Sequence, residues 1–222
     1  MSGLFITFEG GEGLGKSTQT KMLFDRYREQ GNIVHALREP GGTPIGEEIR
    51  RTLKSSVDNY KMFKETELLL MNASRAQLVN EVINPALSRG EIVICDRFYD
   101  SSIAYQGYGR GIELGEVFKI VRFAVRNTIP DITFLIDGSY EDGQKNKKET
   151  NIGKIRDRIE DEGSHEFFRL VHYGFRMMAK TEPERFIVIP YVHNTIKETH
   201  EQIVQGINEF IKLKGLENYF IK

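Results

Sequence analysis

The chain has 222 residues, of which 39% are hydrophobic and 28% charged, with 6 prolines and no tryptophan. That balance excludes a disordered, collagen-like or low-complexity chain, and the length suffices for a full core without disulfide or metal staples. Its 31 basic and 32 acidic residues give a net charge of −1, so no global basic field exists to hold long nucleic acid.

Short apolar runs alternate along the chain with longer amphipathic segments. The runs are Leu4–Phe8, Ile33–Leu37, Ile92–Cys95, Ile132–Ile136 and Phe186–Ile189. Each has strand length and largely lacks strict alternation, which is how strands buried on both faces of a parallel sheet read. Helices are predicted over Ser17–Gln30, ending at Gly31, and over Thr66–Arg89, ending at Gly90 with a kink or break at Pro85. Two more follow, over Leu114–Asn127 and over Asn194–Lys214. The last places Ile196, Ile203, Val204, Ile207, Phe210 and Ile211 on one stripe. The alternation predicts one α/β domain over residues 1–222, a five-stranded parallel sheet with helices on both faces. Ligands of such sheets bind at the carboxyl ends of the strands.

Residues 145–158 depart from this rhythm, with six basic and two acidic residues and no apolar period. They read either as a solvated surface loop or as a basic flap that closes over phosphates. The one cysteine, Cys95, lies inside an apolar run and reads as a buried small hydrophobe. Neither it nor the five histidines have zinc-binding spacing. No apolar run approaches the ~18 residues of a membrane span. MSGLFITFEG lacks the basic start of a signal peptide, and NYFIK carries no lipidation box. A cytoplasmic location is expected.

Directly after the first run stand Gly10, Gly11, Glu12, Gly13, Leu14, Gly15, Lys16, Ser17 and Thr18, which match GxxxxGK[ST], the phosphate-binding loop. Glycines let successive backbone N–H groups point into one anion-sized hollow, and the following helix adds its positive end. Lys16 then spans the outer phosphates of a nucleoside triphosphate, and the Ser17 hydroxyl suits Mg²⁺. The third run ends in Asp96, the form of a carboxylate that organises that ion. Arg38, Arg50, Arg75 and Arg97 recur where strands end or a helix faces the cleft. Guanidinium groups recognise phosphate by paired hydrogen bonds, so a convergent set suits an acceptor that is already phosphorylated.

These residues resemble the bacterial-type thymidylate kinase family, which phosphorylates dTMP to dTDP with ATP. The resemblance rests on FEGGEGLGKST (8–18), REPGGTPIGEEIR (38–50), ASRAQ (73–77), DRFYDSSIAYQGYGRG (96–111) and DRIE (157–160), in that order. It implies a P-loop fold, Mg²⁺, supply of dTTP for DNA synthesis and a homodimer. By the same resemblance, Gly10 to Thr18 hold the ATP phosphates and Glu12 approaches the 3′-hydroxyl side of the acceptor. Arg38 and Arg97 grip the dTMP phosphate, with Glu39 and Asp96 organising metal and water, and Arg50 matches a nucleotide-site arginine. Arg75 reads the thymine edge, Ser102 and Gln106 complete base recognition, and Tyr105 crowds the ribose 2′ position. Phe98 and Tyr99 read as core.

Two positions depart from the family. Met71 stands where a base-stacking phenylalanine is common, and reads equally as thymine packing or as helix core. The lid, about residues 143–157, offers Lys147, Lys148, Lys154, Arg156 or Arg158 in place of an arginine-rich run. Two rival activities share these motifs: a deoxynucleoside kinase acting on thymidine, with Glu39 as base, and a nucleotide-binding module without turnover.

Overall fold

In the computed structural model, residues 3–54, 61–150, 158–159 and 163–216 are described. The five apolar runs become β1 (Leu4–Gly10), β2 (Val34–Arg38), β3 (Ile92–Asp96), β4 (Ile132–Asp137) and β5 (Phe186–Pro190). All pair in parallel, in the order β2-β3-β1-β4-β5. Every residue of β1 is buried, whereas the edge strands β2 and β5 are only partly covered. The expected α/β architecture is therefore present, with strand ends extended by one or two residues towards the carboxyl edge.

The pleat separates two apolar layers. Leu4, Ile6, Phe8, Ile92, Ile94 and Phe134 face one side with Leu23 and Tyr27 of α1 (Lys16–Glu29) and Ile203, Ile207 and Ile211 of the last helix. Phe5, Val93, Cys95 and Leu135 face the other, in one cluster with Leu68, Leu78, Ala86, Tyr99, Val117 and Phe175. The helices between β2 and β4 are α2 (Pro44–Lys54), α3 (Lys64–Leu78), α4 (Asn84–Ser88), α5 (Tyr99–Ser102) and α6 (Leu114–Val125). Three more follow: α7 (Tyr140–Thr150), α8 (His165–Thr181) and α9 (Ile196–Lys214).

Several expectations need correction. The helix predicted over Thr66–Arg89 is α3 and α4 joined by a widened π-type turn, Val79–Ile83. Pro85 at the start of α4 lacks an N–H and its ring excludes the regular turn before it, which the wider turn relieves. A second π-type turn, Ile103–Gly109, continues α5. Residues 145–150, the start of the segment without apolar period, are the second half of helix α7 rather than a loop. Ile196 does not join the core stripe of α9 but stays exposed at its first turn. Helices α2 and α8 had no counterpart in the sequence reading. No described helix is long and apolar enough to cross a membrane.

Register then sets the site. Phe8 of β1 and Arg38 of β2 both lie opposite Asp96 of β3, so three separated stretches of chain end at one edge.

Candidate active site

The loop between β1 and α1 wraps the edge beside β1. Gly10, Gly13 and Gly15 all take positive φ, a conformation that side chains resist. No side chain caps α1, so its first N–H groups are left for an anion. Lys16 is buried and donates from Nζ to the Gly11 carbonyl at 2.6 Å. Burial, aided by Arg97 and opposed by Glu12 and Asp96, pushes its ammonium down to about 8. The next residue reaches across the cleft, where Ser17 Oγ donates to Asp96 Oδ2 at 2.5 Å. Leu14 is buried beneath the loop, and Thr18 stands exposed at the cavity wall.

Arg97 follows β3 with φ of 69°, an uncommon backbone for an arginine. Its N–H donates to the Phe8 carbonyl at 2.9 Å. Buried Glu9 fixes the turn further by accepting from the Phe98 N–H at 2.7 Å and the Ser101 hydroxyl at 2.6 Å. The guanidinium is thereby aimed at the loop. Nη1 donates to the Gly10 carbonyl and Ser101 Oγ, both at 3.0 Å, and Nη2 to Glu12 Oε1 at 2.6 Å and Tyr105 Oη at 3.3 Å. The Tyr105 ring lies 5.2 Å from it. Burial acts to raise the Glu12 carboxyl, but Arg97, Lys16 and Lys147 outweigh it and hold it well below the ordinary range.

Arg75 is enclosed. Nε donates to Glu39 Oε2 at 2.7 Å, Nη1 to Asn72 Oδ1 at 2.8 Å and Ser102 Oγ at 3.0 Å, and Nη2 to the Phe98 carbonyl at 3.2 Å. Both members of the Arg75–Glu39 pair are buried, and Glu39 Oε1 has no partner among the described residues. Burial pushes the Glu39 carboxyl up to about 7 against the pull of Arg75. Arg38 is half-exposed and holds Glu47 at 2.9 Å, while Arg50 donates to the Pro40 carbonyl at 2.8 Å.

The lid residues divide. Within α7, Gly143 lies so close to the loop that a Cβ there would fall 2.0 Å from the Glu12 carbonyl oxygen. Asn146 Nδ2 donates to the Gly13 carbonyl at 2.6 Å, and His193 Nε2 meets Glu149 Oε2 at 2.8 Å. Lys147 lines the cavity beside Gly13, whereas Lys148 is exposed away from it. Lys154 and Arg156 lie outside the described residues. Arg158 is buried on the opposite side of the cleft, donating to the Leu53 carbonyl at 3.1 Å and to Glu67 Oε2 at 2.7 Å.

One cavity of about 370 Å³ joins these groups. It runs from Gly13–Thr18 past Asp96 and Arg97 to Arg75, Ser102, Gln106 and partly buried Met71. Its other arm reaches Gln19, Tyr191, Asn194 and Ile196, which gives exposed Ile196 its place. Sequence reasoning missed that arm, together with Glu9, Gly143, Asn146 and Glu67. Glu67 had a signal: with Met71 and Arg75 it repeats every four residues and so shares one face of α3. Among the described residues no group of three or more His, Cys, Asp or Glu side chains gathers to hold a metal.

A family model described as "Thymidylate kinase" matches residues 8–203. The thymidylate kinase of Caldanaerobacter subterraneus is 43% identical over 96% of this chain and 98% of its own length. That of Kosmotoga olearia is 43% identical over 96% and 99%. The crystal structure of thymidylate kinase from Ehrlichia chaffeensis superposes with a TM-score of 0.74 at 33% identity, covering 94% of this chain and 99% of that one.

Proposed function

The chain belongs to the thymidylate kinase family, and from that premise we propose that this cavity transfers the γ-phosphoryl group of ATP to a phosphate oxygen of dTMP. The observation that carries the reading is the junction of a phosphate-binding loop with Arg97, whose guanidinium reaches Glu12 of that loop at 2.6 Å. Donor and acceptor phosphates would meet there. An ionised phosphate acceptor needs no strong general base, so positioning and charge neutralisation supply the catalysis.

ATP lies with its phosphates in the loop, under the N–H groups opening α1 and beside Lys16, and with its base towards Tyr191 and Ile196. The dTMP phosphate takes Arg97, with Arg38 and Arg50 at the rim. Its sugar lies against Tyr105 and Glu12, and its base against Arg75, Ser102, Gln106 and Met71. Lys147 supplies the lid charge over the transferring group, and residues 1–222 act as one domain with a lid at 143–157.

The Ser17 hydroxyl and Asp96 carboxylate are hard oxygen donors 2.5 Å apart, which fits Mg²⁺ completing its shell with phosphate oxygens and water. Bound there, the ion would neutralise phosphate charge. The same reading includes a cytoplasmic homodimer: Phe123 of α6 is 85% exposed, with Phe118 and Leu69 also exposed, and a second copy would cover them. Light scattering at twice the chain mass checks it.

The activity test is ADP release from Mg·ATP with dTMP, thymidine, dUMP, dGMP or no acceptor. Strong dTMP-dependent turnover is expected, falling at least about 100-fold in Lys16→Ala through loss of a preorganised charge. Turnover with thymidine but not dTMP would move the enzyme to the nucleoside kinases, with Glu39 as the base. Binding without turnover would leave a nucleotide-binding module.

A further inference from the structure

At the acceptor end of the cavity, Gln106 is almost wholly buried, and its side-chain amide has two possible faces. Its Nε2 donates to Glu67 Oε1 at 2.8 Å. Glu67, on α3, is itself 1% exposed. It also accepts from Arg110 Nε at 3.3 Å and Nη2 at 3.0 Å, and from Arg158 Nη2 at 2.7 Å. Burial acts to raise its carboxyl, but the hydrogen bonds from Gln106, Arg158 and Arg110 outweigh burial and hold it below the ordinary carboxylate range.

An ionised carboxylate only accepts hydrogen bonds. The group that Gln106 turns to Glu67 must therefore be its NH₂, and its Oε1 turns the other way. Gln106 lines the cavity, and no described residue donates to that oxygen. The cavity thus meets a hydrogen-bond acceptor with a fixed orientation. Pyrimidine bases differ at the matching position. Thymine and uracil carry an N3–H donor, whereas cytosine carries a bare N3 lone pair. A fixed acceptor pairs with the first two and opposes the third, leaving two buried acceptors facing each other.

We propose that Glu67 is a positioning residue for base choice: by holding the Gln106 amide with its oxygen towards the cavity, it makes the site accept thymine and reject cytosine. The inference rests on the proposed placement of the dTMP base against Gln106. Arg110 and Arg158 serve it indirectly, because they keep Glu67 charged and hence an acceptor only.

The test is calorimetric binding of dTMP, dUMP and dCMP to the full chain, wild type against Glu67→Gln, with the melting temperature of each protein. The substituted amide offers both a donor and an acceptor where the carboxylate offered acceptors alone, so the Gln106 amide is free to turn over. Wild type is expected to bind dUMP almost as well as dTMP, and dCMP at least about tenfold more weakly, the scale of one hydrogen bond to a buried group. In Glu67→Gln the dTMP-to-dCMP affinity ratio falls about tenfold. A role in packing alone would weaken both nucleotides equally and leave the ratio unchanged, which overturns the proposal, as does wild-type dCMP binding equal to dTMP. If Glu67→Gln does not fold, Glu67→Asp keeps the charge beside Arg158 while withdrawing the carboxylate from Gln106, and the same ratio decides. Binding is read independently of turnover, so a failure of the kinase reading shows separately as absent dTMP-dependent ADP release.

Discussion

The two halves of the cleft are built on opposite principles. The donor side is nine consecutive residues, Gly10 to Thr18, whose working groups are backbone N–H and one lysine. The acceptor side is assembled from charged and polar groups far apart in the chain: the charges of Glu39 after β2, Glu67 and Arg75 on α3, Arg97 after β3 and Arg158 beyond, with the neutral amide of Gln106. The first depends on space, because its backbone must approach phosphate and the lid closely. The second depends on completeness, because each buried charge is neutralised only by its partners. Added bulk should therefore damage the donor side, and a removed charge the acceptor side.

The largest expected effect is on the acceptor side. Arg75→Leu leaves Glu39 buried without its cation and releases Asn72 and Ser102, so urea unfolding should show a loss of about 3 kcal/mol, along with weakened dTMP binding. A loss under about 1 kcal/mol would mean that the network carries less than its burial implies. The matching change on the donor side is Gly143→Ala. One methyl group would sit 2.0 Å from the Glu12 carbonyl oxygen, so α7 must lift from the loop. Steady-state kinetics should show the ATP KM raised roughly tenfold with dTMP affinity nearly unchanged. An equal rise for both substrates would erase the contrast between the halves.

The smallest effect is in the pH dependence of stability. Glu67 has a folded-state pKa below its ordinary value of 4.5. Its contribution is fully present above pH 4.5 and is lost as the pH falls through the folded value. Denaturation curves collected from about pH 6 downwards should therefore slope more steeply for wild type than for Glu67→Gln. Parallel slopes would assign the acid sensitivity to other carboxylates.

The same contrast decides what could be read in advance. The donor loop was legible because its chemistry needs adjacent residues, and the parallel sheet was legible because its strands are continuous apolar runs. Helix α7 was hidden, since a polar helix held by Asn146, Gly143 and Glu149 shows no apolar period. Ile196 was misassigned because periodicity marks an apolar face without saying whether it meets core or cavity. Arg158 reads as one of five lid cations by position, yet its guanidinium lies against Glu67, 91 residues earlier. No local pattern encodes that pairing. The four-residue repeat of Glu67, Met71 and Arg75 is the nearest the sequence comes to it.

In the proposed reaction, Arg97 reads a phosphate that the acceptor already carries. The direct measurement is calorimetric affinity for dTMP and for thymidine, in wild type and in Arg97→Lys. Lysine keeps the charge but loses the guanidinium's paired hydrogen bonds. We expect wild type to bind dTMP at least about tenfold more tightly than thymidine, and Arg97→Lys to lose most of that gap while thymidine affinity stays close to wild type. Equal affinities in wild type, or a gap untouched by Arg97→Lys, would contradict it.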